Sequence, residues 1–149
     1  MRLDLTNKNI LSAIGNTPLV KINEKLYAKL ETYNPTGSIK DRIALYILSK
    51  AEWRGEIKPG DTIVEATSGN TGIAFSMIGA VKGYKVQIIM PCNMSDERKQ
   101  MMRLFGADVI EVGPSDFQSA IRLRNQVAAQ DGYWSPRQFE NLDNIECHA

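Results

Sequence analysis

Lys40 is the residue of this chain with the clearest chemical potential, because of the turn in which it lies. It belongs to the segment Asn34-Pro35-Thr36-Gly37-Ser38-Ile39-Lys40-Asp41-Arg42, which opens a predicted helix. The N-terminus of a helix carries a partial positive charge, so it favours anions and disfavours an ammonium group. A lysine held there in its neutral form is a nucleophile that can attack an aldehyde. The plainer alternative is a solvated surface lysine early in a helix.

A second loop of the same kind, residues 65–72, lies between an apolar strand and an apolar helix. Its two glycines, Gly69 and Gly72, permit close approach of the backbone. The loop also offers uncharged hydrogen-bond donors, from Thr67, Ser68, Asn70 and Thr71. This combination suits a carboxylate or a phosphate, and the alternative is a simple capped turn. The two loops together predict a carbonyl cofactor and an anionic substrate on adjacent βα loops.

The composition argues against several classes of function. Eighteen basic and seventeen acidic residues give a net charge of +1, without the basic footprint that nucleic acids or membrane surfaces attract. The cysteines Cys92 and Cys147 and the single His148 lack the spacing of a zinc site or a disulfide framework. Residues 72–81 form the longest apolar stretch, which is too short to span a bilayer, and residues 1–8 lack a signal-peptide core. We therefore predict a cytoplasmic protein that binds a small molecule and no metal.

The spacing of apolar residues predicts alternating strands and helices after an N-terminal arm. Ser38 is a predicted N-cap, with Asp41 three residues later as in a capping box, and Ser95 is a second predicted N-cap. The charged residues 96–99 fit a solvated helix face. The predicted elements are strands 26–31, 62–66, 85–90 and 108–112 and helices 39–53, 72–81, 95–106 and 116–130. This order predicts an α/β fold with a parallel sheet, in which ligands bind at the carboxyl ends of the strands.

Several segments of the chain match a known family over nearly the whole sequence. In chain order they are Gly15-Asn16-Thr17-Pro18-Leu19-Val20, the Lys40 segment 34–42, Thr67-Ser68-Gly69-Asn70-Thr71-Gly72, Met94-Ser95-Asp96-Glu97-Arg98, Phe105-Gly106-Ala107 and Gln138-Phe139-Glu140-Asn141. With these segments the chain resembles the fold type II pyridoxal-phosphate enzymes of the cysteine synthase and cystathionine beta-synthase family.

The resemblance implies a cofactor, a set of site residues and a reaction. In that family the lysine matching Lys40 carries pyridoxal 5'-phosphate as an internal aldimine, and the asparagine matching Asn70 hydrogen-bonds the 3-oxygen of the ring. The substrate carboxylate is held at the positions matching Thr67, Ser68, Gly69, Thr71 and Gln138. The implied reaction is a β-replacement on an O-activated L-serine. O-acetylserine and sulfide would give L-cysteine and acetate, through a Lys40 aldimine and an aminoacrylate.

The resemblance also implies a division of the chain. Residues 1–33 would form an N-terminal arm and first strand, which belong to the large domain in the family. Residues 34–149 would form the small domain, a three-layer α/β sandwich with a mainly parallel twisted sheet. The C-terminal half of the family, which supplies the cradle for the cofactor phosphate, is absent from this sequence. We therefore expect a homodimer or a complementing C-terminal half as partner.

One departure from the family pattern leaves the specificity open. The segment that ends at Asn141 is usually followed by proline, and this chain has Leu142. Within the family, a cystathionine-forming or an O-phosphoserine-dependent synthase is an alternative. Outside enzymology, the alternative is a truncated, non-catalytic module that binds an amino acid or a partner.

Overall fold

A central sheet of four parallel strands organises the chain in the computed structural model, which describes residues 9–149. The strands are β1 Leu19–Asn23, β2 Leu26–Lys29, β3 Thr62–Ala66, β4 Lys85–Pro91, β5 Asp108–Val112 and β6 Tyr133–Trp134. The helices are α1 Lys40–Arg54, α2 Asn70–Lys82, α3 Asp96–Leu104, α4 Phe117–Ala128 and α5 Leu142–Glu146, with 3-10 turns at Ile10–Ala13 and Glu31–Tyr33.

The four-stranded sheet has the order β5-β4-β3-β6. All three pairings are parallel, with Ile63 opposite Val86 and Ile89 opposite Ile110. Both central strands, β3 and β4, are largely buried, because helices cover them on both faces. The predicted parallel α/β architecture is confirmed.

Helices cover the two faces of the sheet and complete three layers. On one face α1 and α2 pack together, and Ile47 and Phe75 join Ile63 and Ile88 of the sheet in the larger core. On the other face α4 packs on β3 and β4, where its Ala120 meets residues such as Val64 and Ile89. Neighbours along β3 thus face opposite cores, as the two-residue period of a strand requires.

The remaining two strands form an antiparallel hairpin outside the main sheet. Strand β1 pairs with β2, with Val20 opposite Ala28. The apolar side chains of this hairpin lie largely in solvent: Leu19 is 63% exposed, Ile22 59% and Tyr27 54%. The sequence predicted β2 but not β1, because the turn signal Gly15-Asn16-Thr17-Pro18 runs directly into Leu19.

Most predicted elements are present with shifted ends. Helix α2 begins at Asn70, two residues before the prediction, and α4 spans 117–128 rather than 116–130. Strand β6 and helix α5 were not predicted, because two and five residues are too few to show a period. The prediction that residues 1–8 carry no signal-peptide core lies outside the described residues. Within residues 9–149, no helix has both the length and the apolar character needed to cross a membrane.

Candidate active site

A cavity of about 530 Å³ opens at the carboxyl end of β3, where α1 and α2 begin. All seven residues that the sequence analysis singled out line it. They are Lys40, Thr67, Ser68, Gly69, Asn70, Thr71 and Gln138. Apolar side chains of α4, Phe117 and Ile121, complete part of the wall. The cavity therefore combines an amine, several uncharged donors and an apolar surface, which is typical of a small-molecule site.

Lys40 is the first residue of α1 and is half-buried. Its backbone N–H donates to Ser38 Oγ over 3.2 Å. The predicted capping geometry is nevertheless wrong in detail. Ile39, not Ser38, stands at the N-cap position, and no side chain caps the helix from there. The Ser38 hydroxyl instead fixes the start of the helix, and with it the residue that carries the amine.

Asp41 does not return a capping-box bond to Ser38 as predicted. Its carboxylate reaches back across the turn and accepts the backbone N–H of Thr36 over 2.8 Å and also the Thr36 hydroxyl. Asp41 is fully buried. Burial raises the pKa of this carboxyl, and the two bonds from Thr36 oppose the rise. The turn before Lys40 is thus closed by a buried acid.

A second network ties the same turn to the N-terminal part of the chain. The Glu31 carboxylate accepts from Arg42 Nε over 2.7 Å and from Thr17 Oγ1 over 2.6 Å. Asn34 donates to Glu31 and accepts the backbone N–H of Gly15 over 2.8 Å. Hydrogen bonds led by that from Arg42 lower the pKa of Glu31 to about 2. The motifs around Gly15 and Lys40, far apart in sequence, therefore form one structural unit.

The loop from Thr67 to Thr71 wraps tightly around the N-terminus of α2. Thr67 Oγ1 accepts the Gly69 N–H over 3.3 Å. A Cβ on Gly69 would lie 2.9 Å from the Cδ and Nε of Arg98, so the arginine packs directly on the loop backbone. The absence of a side chain at Gly69 leaves room for Arg98 against the loop.

Among the charged residues 96–99, Asp96, Glu97 and Arg98 are exposed as predicted, but the prediction is wrong for Lys99. Arg98 lines the cavity, and Lys99 is buried, with its Nζ 2.8 Å from Glu111 Oε2 and 2.6 Å from the Cys92 carbonyl. A solvated helix face was predicted because the run lacks apolar residues. The sequence does not show that the Lys99 side of the helix faces β5.

Gln138 meets the Thr67–Thr71 loop through a buried hydrogen bond. Thr71 Oγ1 donates to Gln138 Oε1 over 2.6 Å, although 67 residues separate the two in sequence. Only the family resemblance pointed to Gln138, because local composition marks it as part of a polar loop. A signal that was overlooked lies in β3: Glu65 is a charged residue within a buried apolar strand, which requires a partner.

Comparison with known proteins places this chain in a family. The family model described as "Pyridoxal-phosphate dependent enzyme" matches residues 10–149. A cysteine synthase of Staphylococcus aureus is 47% identical over 148 residues, which cover 94% of this chain and 48% of that protein. A cysteine synthase B of Pseudomonas syringae is 45% identical over 154 residues, covering 98% of this chain and 91% of that protein. The chain thus spans about half the length of the S. aureus relative.

Solved structures agree with the fold and with the family. The crystal structure of a cysteine synthase from Entamoeba histolytica matches with a TM-score of 0.90 and 39% identity, over 99% of this chain and 48% of that one. An O-ureido-L-serine synthase is also similar, with a TM-score of 0.86 and 38% identity over 93% of this chain and 46% of that one. An O-acetylserine-dependent cystathionine beta-synthase from Helicobacter pylori matches with a TM-score of 0.87 and 36% identity, over 93% of this chain and 49% of that one. On this evidence the chain belongs to the family of pyridoxal-phosphate-dependent enzymes, and it matches the N-terminal half of cysteine synthases.

Proposed function

We propose that this chain is the lysine-bearing half of a cysteine synthase-like enzyme that catalyses β-replacement on an O-activated L-serine. The reaction would convert O-acetylserine and sulfide to L-cysteine and acetate. One observation carries the proposal: seven residues from three separate segments, with one amine among uncharged donors, line a single cavity at the end of a parallel sheet.

The cavity residues fit the reactive end of pyridoxal 5'-phosphate. Lys40 offers a half-buried amine at a helix N-terminus, where it would hold the aldehyde carbon. Asn70, at the start of α2, offers an amide donor for the ring oxygen. Among the described residues that line the cavity Gly69 is the single glycine, so a glycine-rich phosphate cradle would come from elsewhere. When bound, the cofactor supplies an electron sink for the α carbon of an amino acid.

Each remaining task falls to a residue of this chain. Lys40 Nζ would take the α proton of the substrate and return it later, because an amine can serve as general base and then as general acid. Thr67, Ser68, Gly69, Thr71 and Gln138 would hold the substrate carboxylate with their uncharged donors. Asn70 and the carboxylate-binding groups together would orient the bond that breaks at the β carbon.

The substrate and product have close alternatives within the family. The similar proteins include an O-ureido-L-serine synthase and a cystathionine beta-synthase. Leu142, where the family usually has proline, is exposed directly after the segment that carries Gln138. A cystathionine-forming or O-phosphoserine-dependent reaction is therefore the second candidate. A non-catalytic amino-acid-binding module is the third candidate. Binding of an amino acid without turnover would favour it.

The domain boundaries and the partner follow as further proposals. Residues 1–33 would be an arm that packs on a large domain, and residues 34–149 the small domain. The exposed apolar side chains of the β1–β2 hairpin support this division, because they find no core within the described residues. A complementing C-terminal half or a second copy of the chain would cover them. A cytoplasmic location stays a prediction from the sequence.

An absorbance titration tests the function. Purified chain is titrated with pyridoxal phosphate, and O-acetylserine and then sulfide are added. With a complementing C-terminal half supplied, we expect a long-wavelength band that O-acetylserine shifts and sulfide restores, with cysteine released. A band that responds to no O-activated serine would contradict the proposed reaction. A response to O-acetylserine that homocysteine, but not sulfide, reverses would favour the cystathionine-forming alternative.

A further inference from the structure

Glu65 is an acidic residue buried in the middle of the molecule. It lies near the end of β3, is 1% exposed, and follows Ile63 and Val64 in an otherwise apolar buried run. Its Oε1 accepts the backbone N–H of Ala66 over 2.7 Å. A carboxylate at such a position is costly to bury and is retained only with partners.

The partners of Glu65 are a helix side chain and a loop backbone. Arg124 of α4, itself 4% exposed, places Nη1 at 3.2 Å from Glu65 Oε1. The backbone N–H of Gln138 donates to Glu65 Oε2 over 3.2 Å. Burial raises the pKa of Glu65, and the positive charge of Arg124 opposes that rise. The carboxylate therefore links α4 to Gln138, whose side chain accepts the hydrogen bond from Thr71.

Arg124 holds the same loop at two further points. Its Nη1 lies 3.2 Å from Ser135 Oγ, and its Nη2 lies 3.5 Å from Glu140 Oε1. The loop needs such support, because Arg137, directly before Gln138, has a φ of +46°, a conformation that L-residues with large side chains rarely adopt. The ion pair thus holds a strained segment on both sides of Gln138.

A purely stabilising role explains this arrangement poorly. Buried ion pairs are often no more stabilising than apolar residues of similar volume, and the cost appears when one partner alone is removed. Directed hydrogen bonds to one loop are something that apolar residues cannot supply. The geometry points to a specific task for the pair.

We propose that Glu65 and Arg124 are positioning residues that hold the Gln138 backbone so that its side chain meets Thr71 in the cavity. The proposal rests on the proposed function for its consequence, the binding of a substrate carboxylate. The placement of Gln138 itself is independent of that function.

The test compares the chain with the double variant Glu65→Met/Arg124→Met, which replaces the pair by apolar side chains. Arg124→Met alone should lower the urea concentration at the midpoint of unfolding. The double variant should regain most of that loss. In the double variant, the Gln138 amide should exchange with deuterium about tenfold faster or more, since a bond to a charged acceptor is lost. The Ile88 amide in β4 should keep its rate.

A matched control and a second variant complete the design. Glu52→Gln removes a carboxylate that pairs with Lys82 over 2.7 Å, remote from the cavity, and should leave the Gln138 rate unchanged. If the double variant does not fold, Glu65→Gln is measured instead, with an expected acceleration of about threefold at Gln138. An unchanged Gln138 rate in a folded variant would overturn the proposal.

Ligand binding separates this inference from the proposed function. Wild-type chain mixed with pyridoxal phosphate is titrated with O-acetylserine while the amide signals of Gly69 and Thr71 are followed. Binding by the wild type that weakens about tenfold in the stable double variant supports both ideas. No binding by the wild type would count against the proposed function, and the Gln138 exchange rate would still decide the positioning role.

Discussion

The cavity end of the sheet and the β1–β2 hairpin differ in whether their side chains find partners within the chain. At the cavity, buried polar groups such as Asp41, Glu65 and Gln138 each have hydrogen-bond partners from distant segments. In the hairpin, apolar side chains such as Leu19 and Ile22 stand in solvent. The named buried groups at the cavity thus find hydrogen-bond partners within the chain, whereas exposed apolar surface of the kind seen in the hairpin is typical of an interaction site.

The largest expected effect comes from applying the same substitution to both regions. Leu48 of α1 has no exposed surface, and Leu19 of the hairpin is 63% exposed. Leu48→Ala should lower the free energy of unfolding by about 2–5 kcal/mol, because it leaves a cavity in the core. Leu19→Ala should change it by about 0.5 kcal/mol or less. Urea unfolding measures both, and similar losses for the two variants would erase the distinction between the regions.

The next effect concerns the network that joins the hairpin side of the chain to the Lys40 turn. Hydrogen bonds lower the pKa of Glu31 from 4.5 to about 2 in the folded chain. A lowered carboxyl pKa stabilises the fold above the unfolded pKa, and this stability is lost as the pH falls from about 4.5 toward 2. We expect a loss of about 1–2 kcal/mol in that window after allowance for solvent screening.

Glu31→Gln provides the control for this pH dependence. The variant cannot titrate at position 31, so its unfolding free energy should fall less steeply between pH 4.5 and 2 than that of the wild type. If the unfolding free energies of the two proteins fell equally with pH, the result would contradict a lowered pKa of Glu31 in the folded chain.

A smaller effect tests the buried contact inside the cavity. Thr71→Val keeps the shape of the side chain and removes the hydroxyl that bonds Gln138 Oε1. The expected cost is about 1 kcal/mol, the net value of such a hydrogen bond. Thr62→Val, at the half-buried start of β3, is the matched control and should cost less. Equal and negligible effects would show that the Thr71–Gln138 contact contributes nothing.

The smallest effect is on the surface properties of the hairpin. The chain should bind a hydrophobic dye or self-associate, and Leu19→Ser/Ile22→Ser should reduce dye fluorescence by about half, because both side chains belong to the exposed patch. Sedimentation at several concentrations provides the second readout. A monomeric wild-type chain with low dye binding would contradict the need for a partner at this surface.

Sequence patterns predicted the elements that are long and periodic. Strands β3 and β5 have the predicted bounds, since apolar runs between turn residues define buried strands well. Hydroxyl and glycine residues between a strand and a helix also located the Thr67–Thr71 loop. The prediction for Lys40 rested on its place at a helix start, which the structure retains with Ile39 rather than Ser38 at the N-cap.

Other features depended on contacts between distant segments and could not be predicted from local patterns. The partner of Asp41 is Thr36 and not Ser38, because the turn folds back on itself. Lys99 is buried against Glu111, although its neighbours are charged. Gln138 was singled out by resemblance alone, and the role proposed for Glu65 depends on its contact with the loop after β6.

The most direct test of the account is to map which lysine holds the cofactor. The chain is mixed with pyridoxal phosphate, reduced with borohydride, digested and analysed by mass spectrometry, with Lys40→Ala as the matched control. The account predicts a label concentrated on Lys40 and lost in the variant. Label spread over exposed lysines such as Lys25 and Lys85, or an unchanged amount in Lys40→Ala, would contradict it.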